Sequence, residues 1–141
     1  MSDTVNNTFY NRIDGLESFG GTRGIELNGT TPTNHNYFTR CRIANRATGG
    51  DYGIYVGNAQ GNSFVDISLE PAGITGNTGV YMTTVNCFAN IFQNMWIEGN
   101  AQGVLIDATP TYNTFSGGTI TANTTNFTDN AKYTAVVNAQ V

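Results

Sequence analysis

The chain has 141 residues, a length typical of one domain, and a net charge of −4. Charged residues make up only 11% of it, so its polarity comes from Asn, Thr and Gly, while 8 Phe, 7 Tyr and 1 Trp suffice for a packed core. The lack of a basic stripe argues against nucleic-acid binding, and the lack of a long apolar run argues against membrane insertion.

Two short patterns alternate along the chain and together define a repeat. The first is Asn-x-Phe, at Asn7/Phe9, Asn36/Phe38, Asn62/Phe64, Asn90/Phe92 and Asn113/Phe115. The second is a glycine followed by aliphatic residues one and three places later, at Gly24, Gly53, Gly79 and Gly103. Successive Phe positions are 29, 26, 28 and 23 residues apart and successive Gly positions are 29, 26 and 24 apart. The two series keep step, which indicates one structural turn of variable length.

A third apolar position lies five residues after each Phe, at Ile43, Leu69, Ile97 and Ile120. The first repeat departs from this rule, with Asp14 at that position and Ile13 one place earlier. The composition lacks the helix formers of helical repeats and the leucine frame of leucine-rich repeats. The repeat therefore predicts a coil of short strands and turns, each coil pairing with the next at about 4.8 Å.

In such a coil, equivalent residues lie above one another, so we expect five stacked Phe side chains and a ladder of five Asn amides that satisfy the turns. The repeated glycines are expected to form corners with φ > 0. About five coils should fill residues 1–125, and residues 126–141 should form a last partial coil or cap, with Tyr133–Val137 in the second strand position. Longer turns are expected at residues 28–34, Arg46–Asp51 and Pro71–Thr78, and the last of these would wall a groove.

These patterns resemble the right-handed parallel β-helices of bacteriophage tailspikes and tail fibres, over about residues 6–137. The resemblance rests on Asn-x-Phe, on Gly-[Ile/Val]-x-aliphatic and on the Asn/Thr/Gly-rich composition. It implies an all-β homotrimer that binds bacterial surface polysaccharide and, in many members, cleaves it. It also implies a place in the virion tail, reached from the host cytoplasm, because Met1-Ser2-Asp3 begins no signal peptide.

If the positions three and five after Phe point inward, then those two, four and six after Phe point outward. These outward positions gather six chemically distinctive side chains on three adjacent coils: Arg40, Arg42, Asp66, Glu70, Trp96 and Glu98. An aromatic face under a sugar ring, with charged groups bonding the hydroxyls, is a common glycan-binding arrangement. The same face is also suited to a trimer interface or to simple solvation.

Glu70 and Glu98 occupy the same outward position on successive coils, so their strands should be roughly 4.8 Å apart. Retaining glycosidases hold their two carboxyl groups about 5–5.5 Å apart, which makes this pair, with Asp66, the candidate catalytic set. Any two stacked acids in a solenoid give the same spacing, so a charged pair relieved by Arg42 is the competing interpretation.

Tyr55 and Tyr81 should stack on the outer side of the second strand, where they would bind sugar, contact a partner chain or stabilise the sheet. Cys41 and Cys87 are expected to be buried free thiols. With His35 as the single histidine, the sequence predicts no metal site and no cofactor.

The sequence thus leaves three functions open. The first is host recognition by binding of a bacterial polysaccharide. The second is depolymerisation of that glycan by an O-glycosyl hydrolase. The third is a purely structural fibre segment or trimerisation module.

Overall fold

The computed structural model describes residues 3–4, 10–44, 51–70 and 76–141, and in these ranges every regular element is a β-strand. The chain winds into a parallel β-solenoid of about five turns, which confirms the predicted all-β fold class. Two of the predicted long turns, Arg46–Asp51 and Pro71–Thr78, fall largely outside the described residues. The third is not a free loop, because residues 29–32 form a bulge inside a long strand that resumes its pairing at Thr33.

The strands are numbered in chain order, and all of their pairings are parallel. They are β1 (Asp3–Thr4), β2 (Arg12–Asp14), β3 (Glu17–Phe19), β4 (Arg23–Asn34), β5 (Tyr37–Thr39), β6 (Arg42–Ala44), β7 (Tyr52–Gln60), β8 (Ser63–Val65), β9 (Ser68–Glu70), β10 (Thr78–Met82), β11 (Ile91–Glu98), β12 (Gln102–Ile106), β13 (Thr114–Thr121), β14 (Thr125–Asp129) and β15 (Ala135–Val137).

The Gly-aliphatic motifs form a six-stranded sheet in the order β1-β4-β7-β10-β12-β14. Its register places Ile25 beside Ile54, Val80 beside Val104 and Val104 beside Phe127, so the motif residues do stack coil over coil. Their aliphatic side chains point into the core, while the residue between them faces outward.

The Asn-x-Phe segments form a nine-stranded sheet with two columns. The first column contains β2, β5 and β8 and the second contains β3, β6 and β9, and the longer strands β11 and β13 continue across both. β15 pairs with β13 over Phe115, so Ala135–Val137 occupies the first strand position. The prediction of the second strand position for this segment is wrong, because β14 takes that position instead.

Four phenylalanines form a continuous stack between the two sheets. The ring centroids of Phe38, Phe64, Phe92 and Phe115 are 5.0, 4.7 and 4.5 Å apart in succession, with the planes within 6° of parallel. All four side chains are buried. This stack confirms that residues roughly two dozen positions apart lie above one another.

The first rung of this stack is not the predicted one. Ile13 pairs with Phe38, so the apolar position is filled four residues after Phe9, which lies outside the described residues. Ser18, rather than Asp14, aligns with Ile43 at the third apolar position. An isoleucine can fill the volume that a Phe ring fills in the other coils, so a motif of identical residues does not identify this rung.

The asparagine ladder is present and is built from paired hydrogen bonds. On each rung the backbone N–H and the side-chain amide of one Asn donate to the Oδ1 of the next, as for Asn62 to Asn90 at 3.1 and 3.0 Å. The described ladder runs Asn11, Asn36, Asn62, Asn90 and Asn113. Asn11 therefore holds the rung predicted for Asn7, because it precedes Ile13 by two residues.

A second polar ladder, which the sequence analysis missed, lies at the corner before the six-stranded sheet. Asn100 donates to the Oδ1 of Asn123 through its backbone N–H at 2.9 Å and its side-chain amide at 3.1 Å. The backbone N–H of Asp51 donates to Asn77 at 3.3 Å. The equal spacing of Asn77, Asn100 and Asn123 is the sequence signal that marks this ladder.

Among the described residues, three columns with positive φ turn the chain from strand to strand. One column lies directly before the first Asn ladder: Tyr10, His35, Gly61, Ala89, Tyr112 and Tyr133. The second lies two residues after the Phe position: Gly15, Arg40, Asp66, Asn94, Gly117 and Asn138. The third lies directly before the second ladder: Gly21, Gly76, Gly99 and Ala122. Most of these corner residues are not glycines, so stacking on neighbouring coils must support a conformation that L-residues otherwise disfavour.

The repeated glycines Gly24, Gly53, Gly79 and Gly103 are not corners with positive φ, which corrects the prediction. Gly24, Gly79 and Gly103 are required by close approach. A Cβ at Gly79 would lie 2.5 Å from the carbonyl oxygen of Gly103 and 2.6 Å from Ile97 Cγ2. These glycines let the two sheets meet closely.

Both cysteines are buried free thiols, as expected. Burial alone raises the pKa of Cys87 to about 12. Burial is also the main cause that raises the pKa of Cys41.

Candidate functional site

The outward face of the second column of the nine-stranded sheet carries the predicted site. We define the Trp96 face as Arg42, Ser68, Glu70, Trp96, Glu98 and Thr119. The alternation of β6, β9 and β11 buries Ile43, Leu69 and Ile97, so the polar residues and Trp96 beside them point outward, whereas Ala44, which follows Ile43, is buried. The outward placement predicted for these residues is therefore what the fold produces.

Trp96 stands at the centre of this face. It pairs with Ser68 on one neighbouring strand and with Thr119 on the other, and both are small polar residues. Its side chain is 47% exposed. The two flanking side chains are too short to cover an indole ring, which fits the half-exposure of the tryptophan.

Glu70 is held in place by two neighbours. The Ser68 hydroxyl donates to Oε1 of Glu70, and an Arg42 guanidinium nitrogen lies 3.7 Å from Oε2. The same guanidinium lies 5.6 Å from the centre of the Phe19 ring. These contacts fix a carboxylate and a cation side by side on the surface, both partly exposed.

Glu98 lies on the strand next to Glu70. The register pairs Ile97 with Leu69, so the two glutamates follow on adjacent strands, about one strand spacing apart. On its other side Glu98 pairs with Thr121. The predicted adjacency of the two acids is thus present in the register of the sheet, and both are partly exposed.

Arg40 and Asp66 lie at a bend before this face and have partners of their own. Arg40 forms an ion pair with Asp14, and its Nε donates to Oδ1 at 2.9 Å, which lowers the pKa of the Asp14 carboxyl. Asp66 accepts a hydrogen bond from the Asn94 amide at 3.2 Å. Asp66 lies four residues before Glu70, and its described side-chain contact is with the corner column rather than with the glutamate pair.

Tyr55 and Tyr81 are on the other sheet, where they form a cluster with a third tyrosine. Their rings meet edge to face at 5.6 Å, and Tyr52 stacks on Tyr81 at 5.1 Å. The Arg23 guanidinium lies 4.2 Å from the centre of the Tyr55 ring, and burial of that ring is the main cause that raises the pKa of Tyr55. The Tyr81 hydroxyl donates to Asp107 at 2.8 Å.

The predicted site residues therefore fall on two surfaces and a bend. The Trp96 face gathers Arg42, Glu70, Trp96 and Glu98, whereas Tyr55 and Tyr81 belong to the tyrosine cluster of the six-stranded sheet. Sequence reasoning missed Tyr52 and Arg23, although Tyr52 lies only three residues before Tyr55. Their place in the tyrosine cluster is set by the register of β4, β7 and β10, which pairs Arg23 with Tyr52 and Tyr52 with Thr78.

Within the described ranges, no group of three His, Cys, Asp or Glu side chains is arranged to hold a metal ion. A helix of a length and apolarity suited to crossing a bilayer is likewise not found among the described residues.

The chain matches no protein family model, and neither a curated protein nor a solved structure has significant similarity to it.

Proposed function

We propose that this β-solenoid is a host-recognition module that binds a bacterial surface polysaccharide through the Trp96 face. The observation that carries the proposal is the half-exposed indole between Ser68 and Thr119, beside Arg42 and the two glutamates. An indole offers an apolar plate to the C–H face of a sugar, and neighbouring charged groups bond its hydroxyls.

The sheet itself suits a long ligand. Parallel strands repeat the same outward positions at about 4.8 Å, so successive sugars of a polymer meet equivalent places on successive coils. A side chain that projects between two short neighbours gives such a polymer one fixed point of contact. The partly exposed ion pair of Arg42 and Glu70 supplies polar partners that water already solvates, so binding displaces water rather than breaking a buried network.

This proposal extends to the assembly implied by the tailspike resemblance. A homotrimer in a virion tail presents three such faces, and multivalency raises the avidity of weak individual sites without any new contact. Measurement of the molar mass by light scattering tests the trimer separately from the ligand.

Titration of the protein with a panel of purified bacterial capsular and O-antigen polysaccharides tests the binding site. We expect Trp96→Ala to weaken binding at least tenfold, since loss of a central aromatic contact costs more than about 1.4 kcal/mol. Tyr37→Ala is the matched control, because it removes a partly exposed ring from the first column of the same sheet. Binding that survives Trp96→Ala, or the absence of binding across a broad panel, would contradict the proposal.

Depolymerisation is a second candidate, favoured by the adjacency of Glu70 and Glu98. Two carboxyl groups at about one strand spacing are compatible with a retaining hydrolysis in which one acts as nucleophile and the other as acid and then base. Release of reducing ends from a bound polysaccharide, lost in both Glu70→Gln and Glu98→Gln, would establish it. Retention of activity in either variant would exclude this pair as the catalytic groups, with Asp66→Asn as the remaining test.

The tyrosine cluster is assigned a packing role in this proposal. Its rings contact one another and Arg23, and Tyr81 is already bonded to Asp107. Such a cluster adds cross-strand stabilisation to the six-stranded sheet. Tyr55→Ala should therefore lower stability while leaving polysaccharide affinity within about twofold.

A further inference from the structure

The column of corner residues before the first Asn ladder is aromatic and exposed. Tyr10, Tyr112 and Tyr133 are 77, 61 and 67% exposed, and His35 is exposed as well. All four have φ between 55 and 63°, a conformation that bulky L-residues rarely adopt. The other two corner columns carry no aromatic residue among their described members. We call this column the aromatic corner.

The rings of the aromatic corner form two separate pairs. Tyr10 stacks on His35 with centroids 5.2 Å apart, and Tyr112 stacks on Tyr133 at 5.0 Å with planes 5° from parallel. The two rungs between the pairs hold Gly61 and Ala89, which have no ring. Along the axis the column therefore has two rings, two positions without a ring of their own and two rings. The His35 ring lies over the first of these positions, 3.3 Å from where a Gly61 Cβ would be. We call the two positions without a ring the corner slot.

The depth of the corner slot matches two rings. His35 and Tyr112 are three rungs apart, which is about 14 Å at the usual strand spacing. Two inserted rings would divide this distance into steps of about 4.8 Å. The stacks that the protein itself forms have centroid spacings from 4.5 to 5.2 Å. A pair of stacked rings is thus the shape that completes the column.

The surroundings of the corner slot favour aromatic rings over sugars. Residues 59–63 and 87–91 include no charged side chain. Phe88 and Ile91, on either side of Ala89, are 38 and 44% exposed. A glycan site requires placed polar groups to bond its hydroxyls, and these positions supply few. The Trp96 face has charged groups of this kind, whereas the polar residues beside the corner slot are all uncharged.

We propose that the corner slot receives the Tyr112–Tyr133 pair of a second copy of this chain, with the two copies antiparallel and related by a two-fold axis. In this arrangement the two Tyr112 rings meet at the axis, and His35 of each copy stacks on Tyr133 of the other. The eight rings then form one continuous stack. The interface is isologous, because each copy supplies one ring pair and one slot.

The size of this contact predicts a reversible association. Four inserted rings at about 150–250 Å² each bury roughly 600–1,000 Å², before the receiving surfaces are counted. This lies below the roughly 1,200 Å² at which stable specific interfaces begin, in the range of weak and transient contacts, so pairing should depend on concentration in the micromolar range or above. The pairing does not rest on the proposed glycan function and uses a different surface.

Sedimentation velocity of the full chain over a wide concentration range tests the pairing. Ala89→Tyr fills the corner slot with the chain's own ring and should weaken association at least tenfold. Ala122→Tyr is the matched control, because Ala122 has the same φ of 54° and is also exposed, but it lies on another corner column. Tyr112→Ala, which removes the inserted ring, should weaken association to a similar extent.

Three results would overturn the proposal. One is a sedimentation coefficient of the wild type that does not change with concentration up to the millimolar range. Another is association of Ala89→Tyr equal to that of Ala122→Tyr, with both variants folded by circular dichroism. The third is unchanged association together with a loss of polysaccharide binding in Ala89→Tyr, which would assign the slot to sugar rings instead.

Discussion

The aromatic residues of this protein form two stacks along the same axis, one inside the solenoid and one at its corner. The buried stack runs without a break from Phe38 to Phe115, whereas the exposed one stops after His35 and resumes at Tyr112. Inside, the space between two sheets must be filled on every coil, because protein cores tolerate few voids. On the surface a missing ring leaves no buried void, so the exposed rings can be placed for contacts with other molecules.

Loss of a ring from the middle of the buried stack should have the largest effect. Phe92→Ala removes a buried side chain that contacts Phe64 and Phe115, so the free energy of unfolding should fall by about 3–5 kcal/mol. Urea denaturation monitored by circular dichroism measures it. Tyr112→Ala, the exposed counterpart, should change it by less than about 1 kcal/mol. Equal losses in the two variants would mean that the two stacks do not differ as described.

Interruption of the buried Asn ladder should come next. Asn90→Ala removes the oxygen that accepts from the backbone N–H and the amide of Asn62, so the buried backbone N–H loses its acceptor, while the Asn62 amide keeps only the carbonyls of Thr33 and Gln60. We expect a loss of about 2–3 kcal/mol in the free energy of unfolding. Asn86→Ala, at an exposed position, is the control and should lie within about 0.5 kcal/mol of the wild type.

The close approach of the sheets at the repeated glycines gives a third test. Gly79→Ala places a methyl group 2.5 Å from a backbone oxygen of the next coil and should cost about 1–3 kcal/mol. Gly15→Asn is the contrasting substitution, because a Cβ there meets nothing within 4 Å and Asn94 adopts the same corner conformation. A stable Gly79→Ala variant would show that the coils are farther apart than described.

The buried thiol of Cys87 should make stability depend on alkaline pH. Its pKa is about 12 in the folded chain, while an exposed thiol ionises near 9, so above pH ~9 the unfolded state loses a proton that the folded state keeps. Stability should therefore fall as pH rises, by up to about 1.4 kcal/mol per pH unit from this group. Comparison of wild type with Cys87→Ala by denaturation between pH 8 and 10 isolates it; parallel profiles would contradict the assignment.

The coil period and the inward and outward positions could be predicted because they depend on repetition. Once Ile43, Leu69 and Ile97 are taken to share a column, the alternation of a strand predicts that Trp96, Glu70 and Glu98, which lie next to them, face outward. The Asn-x-Phe pattern misplaced the first rung of the stack, because Ile13 takes the position that Phe takes in the other coils. Sequence reasoning also missed the third residue of the tyrosine cluster, because the neighbours of Tyr52 depend on register rather than on any local motif.

The corners could not be read from the sequence for a different reason. Positive φ is usually inferred from Gly or Asn, but Tyr10, His35 and Tyr112 adopt it here. Backbone hydrogen bonds to the next coil, such as His35 N–H to Gln60 O at 3.3 Å, impose the conformation from outside. The φ preference of an isolated residue type does not predict these corners, because contacts with the neighbouring coils determine their conformation.

The most direct test of the register is a nuclear Overhauser measurement on protein with labelled Phe rings and Ile methyl groups. The structure predicts cross-peaks linking Phe38 to Phe64, Phe64 to Phe92 and Phe92 to Phe115, and a contact between the Ile13 methyls and the Phe38 ring. Absence of the Phe64 to Phe92 cross-peak, or a Phe9 contact to Phe38 in place of the Ile13 contact, would contradict the coil alignment on which both proposed surfaces depend.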